Sequence, residues 1–156
     1  MGILEVASGN SVWRGYDYFE KKKVISFEKI SETLFKGVVS GSSNQIYDVT
    51  LDVAHPKRSS CTCPHAEGTR RICKHKIALY FTIFPDEAER LINEARAYEE
   101  EEEQRQIQTE KDLVTYVRKL KKSEAQELLL DLLFAGPDWQ YENFIRMHLD
   151  DYYNNY

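Results

Sequence analysis

Cysteine, methionine and proline are scarce in this chain, which has three, two and four of them. Its apolar residues nowhere run on for the roughly 20 positions that cross a bilayer, so no membrane span is expected. An odd number of cysteines leaves one thiol over in any disulfide framework, and the three therefore read as reduced thiols open to a metal. The opening MGILEVASGN lacks the basic stretch, apolar core and cleavage site of a secretory leader, and a cytoplasmic protein is expected. Signatures of common catalysis are missing as well: there is no glycine-rich phosphate loop, no GxSxG and no HExxH. With 156 residues, 42% hydrophobic and 30% charged, the chain suits one ordinary domain with an appendage, or two small modules, and not a single large enzyme core.

What is present is divided unevenly. Residues 1–80 hold 12 Lys and Arg against 8 Asp and Glu, whereas residues 81–156 hold 9 against 18, a net of +4 followed by −9. Two electrostatically opposite halves follow.

Periodicity assigns the elements. Val12, Tyr16 and Phe19 recur at helical spacing within residues 11–22, with Gly15 counting against that helix. Val24–Ile30, Leu34–Ser40 and Ile46–Val53 read as strands, the last with Tyr47, Val49, Leu51 and Val53 on one face. Ser31-Glu32 turns the chain between the first two strands, and Ser40-Gly41-Ser42-Ser43-Asn44 between the second and third. A helix starts near Cys73 or Lys74 and runs to Pro85, followed by an acidic helical stretch that includes the Glu99–Glu103 run. Further on, Thr109 is read as the cap of a helix holding Leu113, Val114, Val117 and Leu120. Ser123, with Gln126 three residues later, is read as the capping box of the next helix, which Gly136-Pro137 ends. A last helix carries Tyr141, Phe144, Ile145, His148, Leu149 and Tyr152. The expected fold is α+β: an N-terminal helix, a small antiparallel sheet and a cysteine-bearing segment that enters a helix over residues 1–84, an acidic helical linker over 85–108, and a short helical bundle over 109–156. Trp13 and Trp139 are assigned to packing.

The segment SSCTCPHAEGTRRICKHKIALYF carries the chemistry. Its donors fall as Cys61-x-Cys63, nine residues, then Cys73-x-His75. Residues two apart on an extended strand point to one side, so Cys61 and Cys63 can face one ion, and the loop with Pro64 and Gly68 returns Cys73 and His75 at a helix start. Three thiolates and one imidazole make a closed tetrahedral set for a single structural Zn²⁺. The centre carries a net −1, which Arg70, Arg71, Lys74 and Lys76 beside it offset, as does the positive end of the helix. His65, two residues beyond Cys63, is a rival fourth ligand. His55 and His148 are not read as ligands.

This block resembles the SWIM-type zinc finger, whose pattern is CxC, a variable spacer, then CxH. The stretch RGYDYFEKKKV, the Gly-Ser in GVVSGSS, the YDV strand leading into CTCP and the helical tail from Asp112 to Leu133 are similar to bacterial members. The resemblance implies a ββα finger, together with DNA binding and protein–protein contacts of the kind associated with transposases, chromatin-remodelling-type helicases and recombination complexes. No helicase or transposase motif accompanies it in this chain.

Two roles follow as expectations. One is DNA binding through Lys57, Arg58, Arg70, Arg71, Lys74 and Lys76, with Lys21, Lys22 and Lys23 adding charge. The other is an adaptor docking a protein partner, with the acidic tail either repelling nucleic acid or folding over the basic half. An enzyme is not expected, nor is a small-molecule substrate: a catalytic zinc needs an open position, and Glu67 is the only acid or base near the loop.

Overall fold

The computed structural model describes residues 2–42 and 45–149. Ser43 and Asn44 of the expected turn, Tyr152 of the expected last helix and the terminal DDYYNNY segment lie outside the described residues. The chain divides into two compact units, residues 1–97 and 98–156.

The first unit opens with a short helix α1 (Ile3–Val6) and a longer helix α2 (Gly9–Glu20), whose N-cap Ser8 accepts a hydrogen bond from the Ser11 amide at 3.2 Å. A meander of four antiparallel strands follows, β1 (Val24–Lys29), β2 (Leu34–Ser40), β3 (Ile46–Asp52) and β4 (Ser60–Cys61), in spatial order β1-β2-β3-β4. A single turn of 3-10 helix, Pro56–Arg58, links β3 to β4. Register confirms the alternation: Phe35 pairs with Leu51, Gly37 with Val49 and Val39 with Tyr47, placing Phe35, Val39, Val49 and Leu51 on the buried face.

Helix α3 (Lys74–Ile83) is covered on nearly every side, with Lys76, Ile77, Ala78, Leu79 and Phe81 all buried. The cause is its position between layers, since α3 packs on α2 as well as on the sheet. Each fully buried Val, Leu or Ile here contributes about 1.5–3 kcal/mol by leaving water. The two layers approach closely because glycine stands at both contacts. A Cβ on Gly15 would lie 2.4 Å from Ile77, and one on Gly37 would lie 2.6 Å from Leu79. Gly15 thus costs α2 some helix propensity and sets the α2–α3 spacing. Trp13, assigned from sequence to packing, is 47% exposed instead. The face of α2 turned to the core is that of Val12, Tyr16 and Phe19, with the Tyr16 and Phe19 rings against Phe81.

Helix α4 (Pro85–Lys119) begins on the residue expected to stop its predecessor. Proline is well placed in a first helical turn, where its missing N–H has no intrahelical partner in any case. Ala88 and Leu91 of α4 pack into the first unit's core. The expected linker over 85–108 and the helix expected from Thr109 are one continuous element. Thr109 caps nothing: it is mid-helix, its hydroxyl donating to the Arg105 carbonyl at 2.8 Å, which lets threonine sit within a run of strong helix formers.

In the second unit, α5 (Lys122–Ala135) and α6 (Asp138–His148) complete the helical segment. The N-cap of α5 is Lys121, not Ser123, and the Lys121 amide donates to the Glu124 carboxylate at 2.8 Å. Phe134 of α5 lies 6.0 Å from Tyr141 of α6, centroid to centroid. Among the described residues from 98 on, Leu133 alone is buried, and Trp139, expected in packing, is 68% exposed.

Candidate metal centre

Cys61 ends β4 and pairs with Val49, so it faces the core as Val49 does. Thr62 extends the pairing, its amide donating to the Asp48 carbonyl at 3.1 Å, and Cys63 falls on the same side as Cys61. The chain then folds tightly: the amides of Ala66 and Glu67 both donate to the Cys63 carbonyl at 2.9 Å, and the Thr69 amide donates to Ala66 at 3.1 Å. Buried Ala66 and Ile72 anchor this loop from below. Cys73 is the N-cap of α3 and His75 lies in its first turn.

These elements bring one donor atom each from Cys61, Cys63, Cys73 and His75 within 4.8 Å of one another. His75 turns Nδ1 to the sulfurs, 3.7 Å from Cys61 Sγ and 4.0 Å from Cys73 Sγ. Zn–S and Zn–N bonds of ordinary length set tetrahedral edges of about 3.6–3.8 Å; the His75 distances lie close to that value, and a small inward shift of the remaining donors closes the set around one zinc ion. All four residues are 2–4% exposed. A set of four buried protein donors, three thiols and one imidazole, fits one structural zinc ion. His65 stands outside this group and is exposed on the loop, as is Glu67.

The sulfurs share charge among themselves. A hydrogen bond from Cys61 lowers the Cys73 thiol to about 3, while the same bond to Cys73 and burial push Cys61 upward, and burial raises Cys63. Cys73, as the N-cap of α3, also meets the positive end of that helix, which favours its thiolate.

The surroundings add what the sequence did not reveal. Tyr47 lies on His75 at 4.6 Å between ring centroids and Tyr18 meets it edge-on at 5.4 Å, fixing the plane of the imidazole. The signal for Tyr47 was its place on the strand face shared with Val49. Lys76 is the larger surprise. Expected to contact nucleic acid, it is fully buried, with Nζ donating at 2.8 Å to the carbonyls of Ser59 and Arg71. It cannot reach a phosphate from there, and the sequence-based assignment is corrected. Its ammonium instead ties the segment before β4 to the loop after it, and its positive charge lies beneath a cluster that carries −1 when zinc is bound. Burial lowers the Lys76 pKa, and the three cysteines oppose that. Of the other basic candidates, Lys57, Arg58 and Arg70 line one surface depression with His55. Arg71 is exposed, and Lys74 is held against Tyr18, donating to its hydroxyl at 2.6 Å.

Comparison with protein families agrees with this geometry: residues 47–84, from the start of the Tyr47 strand to the end of α3, match the SWIM zinc finger. The chain carries a SWIM zinc finger. No curated protein and no solved structure matches the chain. The SWIM segment takes in all four donors and Lys76, and its β3-β4-α3 order is the expected ββα arrangement. No helix among the described residues is long and apolar enough to cross a membrane.

Proposed function

We propose that the protein is a zinc-stapled adaptor, a binding module and not an enzyme, which docks a protein partner through helices α5 and α6. The observation that carries this reading is the exposure of Leu128, Leu129, Leu130, Leu132 and Phe134 on α5 and of Trp139, Tyr141 and Met147 on α6. Contiguous apolar side chains on this scale mark interaction sites in soluble proteins, and a helix apolar on most of its faces is normally covered on most of them. The closed donor set supports a structural use of the metal.

Capture from a native lysate tests the reading. A partner protein retained after nuclease treatment, and lost with Leu129→Asp and Leu132→Asp together, is the expected result. Capture that ignores both substitutions, or that vanishes with nuclease, argues against it. The nuclease-sensitive outcome favours the second reading, DNA binding by the finger, for which Lys57, Arg58 and Arg70 around one depression are the supporting feature. Such binding would weaken steeply with added salt, because phosphate contacts release counterions.

A further inference from the structure

Between residues 103 and 119 every position of α4 is exposed. A helical stretch with no tertiary support is marginal in water, because packing of an amphipathic face supplies most helix stability in proteins. This stretch has such a face: Ile107 and Val114 stand seven residues apart with Val117 three further on, the spacing of a coiled-coil seam, and Leu113 flanks it. All four are exposed.

Its charges are polarised along the helix. Glu99–Glu103, at the middle of α4, lead into the N-terminal end of this exposed stretch, while Arg118 and Lys119 occupy the last turn. A parallel pair of such helices would set five glutamates beside five glutamates. An antiparallel pair sets acid against base. Moreover, the register that places Glu110 opposite Lys111 of a second copy also places Ile107 opposite Val114 and Glu103 opposite Arg118. Two-fold symmetry repeats each contact, as an isologous interface requires. Glu102, by contrast, is engaged by Arg105 of its own helix, and among the described residues Glu103, Glu110, Lys111 and Arg118 form no ion pair.

We infer that the exposed half of α4 is a self-docking surface, on which a second copy of this chain packs antiparallel with Ile107, Val114 and Val117 in the seam and Glu103 against Arg118 at each end. Different side chains carry this surface from those assigned above to a protein partner on α5 and α6, so either reading can fail alone.

Sedimentation velocity on the zinc-loaded full chain tests it, with circular dichroism confirming that each variant stays helical. Wild type should sediment as a concentration-dependent dimer. Glu103→Arg and Arg118→Glu each create like-charge contacts at both ends and should weaken the dimer by roughly tenfold or more. Mixing the two variants restores both attractions, and a heterodimer should form with wild-type strength. A wild-type chain that remains monomeric up to about 200 µM overturns the proposal. So does a dimer indifferent to both reversals, or a mixture that recovers nothing.

Discussion

The two units of this protein are apolar in similar proportion and use that apolar sequence in opposite ways. In residues 2–97, strand alternation and helix periodicity end in a buried cluster from Ile3 to Ala88 that closes around the zinc donors. In residues 98–149, leucines at equally good helical spacing remain on the surface, with Leu133 the exception. The difference lies in layering. A helix buries its stripe only against another element, and the first unit supplies a sheet on one side of α3 and α2 on the other, held near by Gly15 and Gly37. Periodicity states that a residue is to be covered. It does not say whether the cover comes from the same chain.

The strongest way to break this contrast is to remove the zinc. A structural site contributes on the order of 10 kcal/mol of apparent binding free energy that becomes folding free energy. For a sheet of four short strands that exceeds most of its reserve. Cys63→Ser, or a strong chelator, should therefore unfold residues 45–84 at least, while amide exchange in α5 and α6 stays as it was. Retention of the sheet signal in circular dichroism after verified metal loss would show that packing alone suffices.

A smaller but sharper perturbation is Lys76→Met, which keeps the volume and removes the ammonium. Two buried carbonyls, of Ser59 and Arg71, lose their donor, at a cost of roughly 2–4 kcal/mol. The zinc centre also loses a buried compensating charge. Both effects predict a lower midpoint in urea, together with easier metal release to a chromogenic chelator. If the midpoint falls but metal release does not change, Lys76 acts as a tie between loops and not as a counter-charge.

Much of the first unit was legible because its signals are short in range. Cys61-x-Cys63 and Cys73-x-His75 need only a strand and a helix start to converge, and the three main strands lie within a residue or so of their expected ends. The misreadings have a common cause. Lys76 looks like one more surface lysine, yet it directly follows a ligand and precedes Ile77-Ala78-Leu79, on a helix with almost no free face. Its part in offsetting the −1 centre was legible from its place beside the ligands; its burial was not. Thr109 and Ser123 resemble caps, but a cap forms only where the helix is interrupted. Glutamate, glutamine and arginine carry α4 straight through Thr109, while Glu124 moves the α5 cap back to Lys121. Trp13 and Trp139 were assigned by size, and neither has a layer above it.

The smallest expected effect falls on the exposed side of the comparison. A buried leucine replaced by aspartate in the first unit, such as Leu79, would leave an unpaired charge in the core and forfeit the fold. Leu129→Asp on α5 makes the same chemical change at a position 44% exposed, where substitutions ordinarily shift stability within about 0.5 kcal/mol. Calorimetry of the isolated zinc-loaded chain should thus find its melting transition nearly unmoved by Leu129→Asp, even though the same substitution, combined with Leu132→Asp, is expected to abolish partner capture. A clear loss of stability would mean that α5 is covered within the chain itself in solution, and the apolar surface assigned to a partner would then belong to the fold.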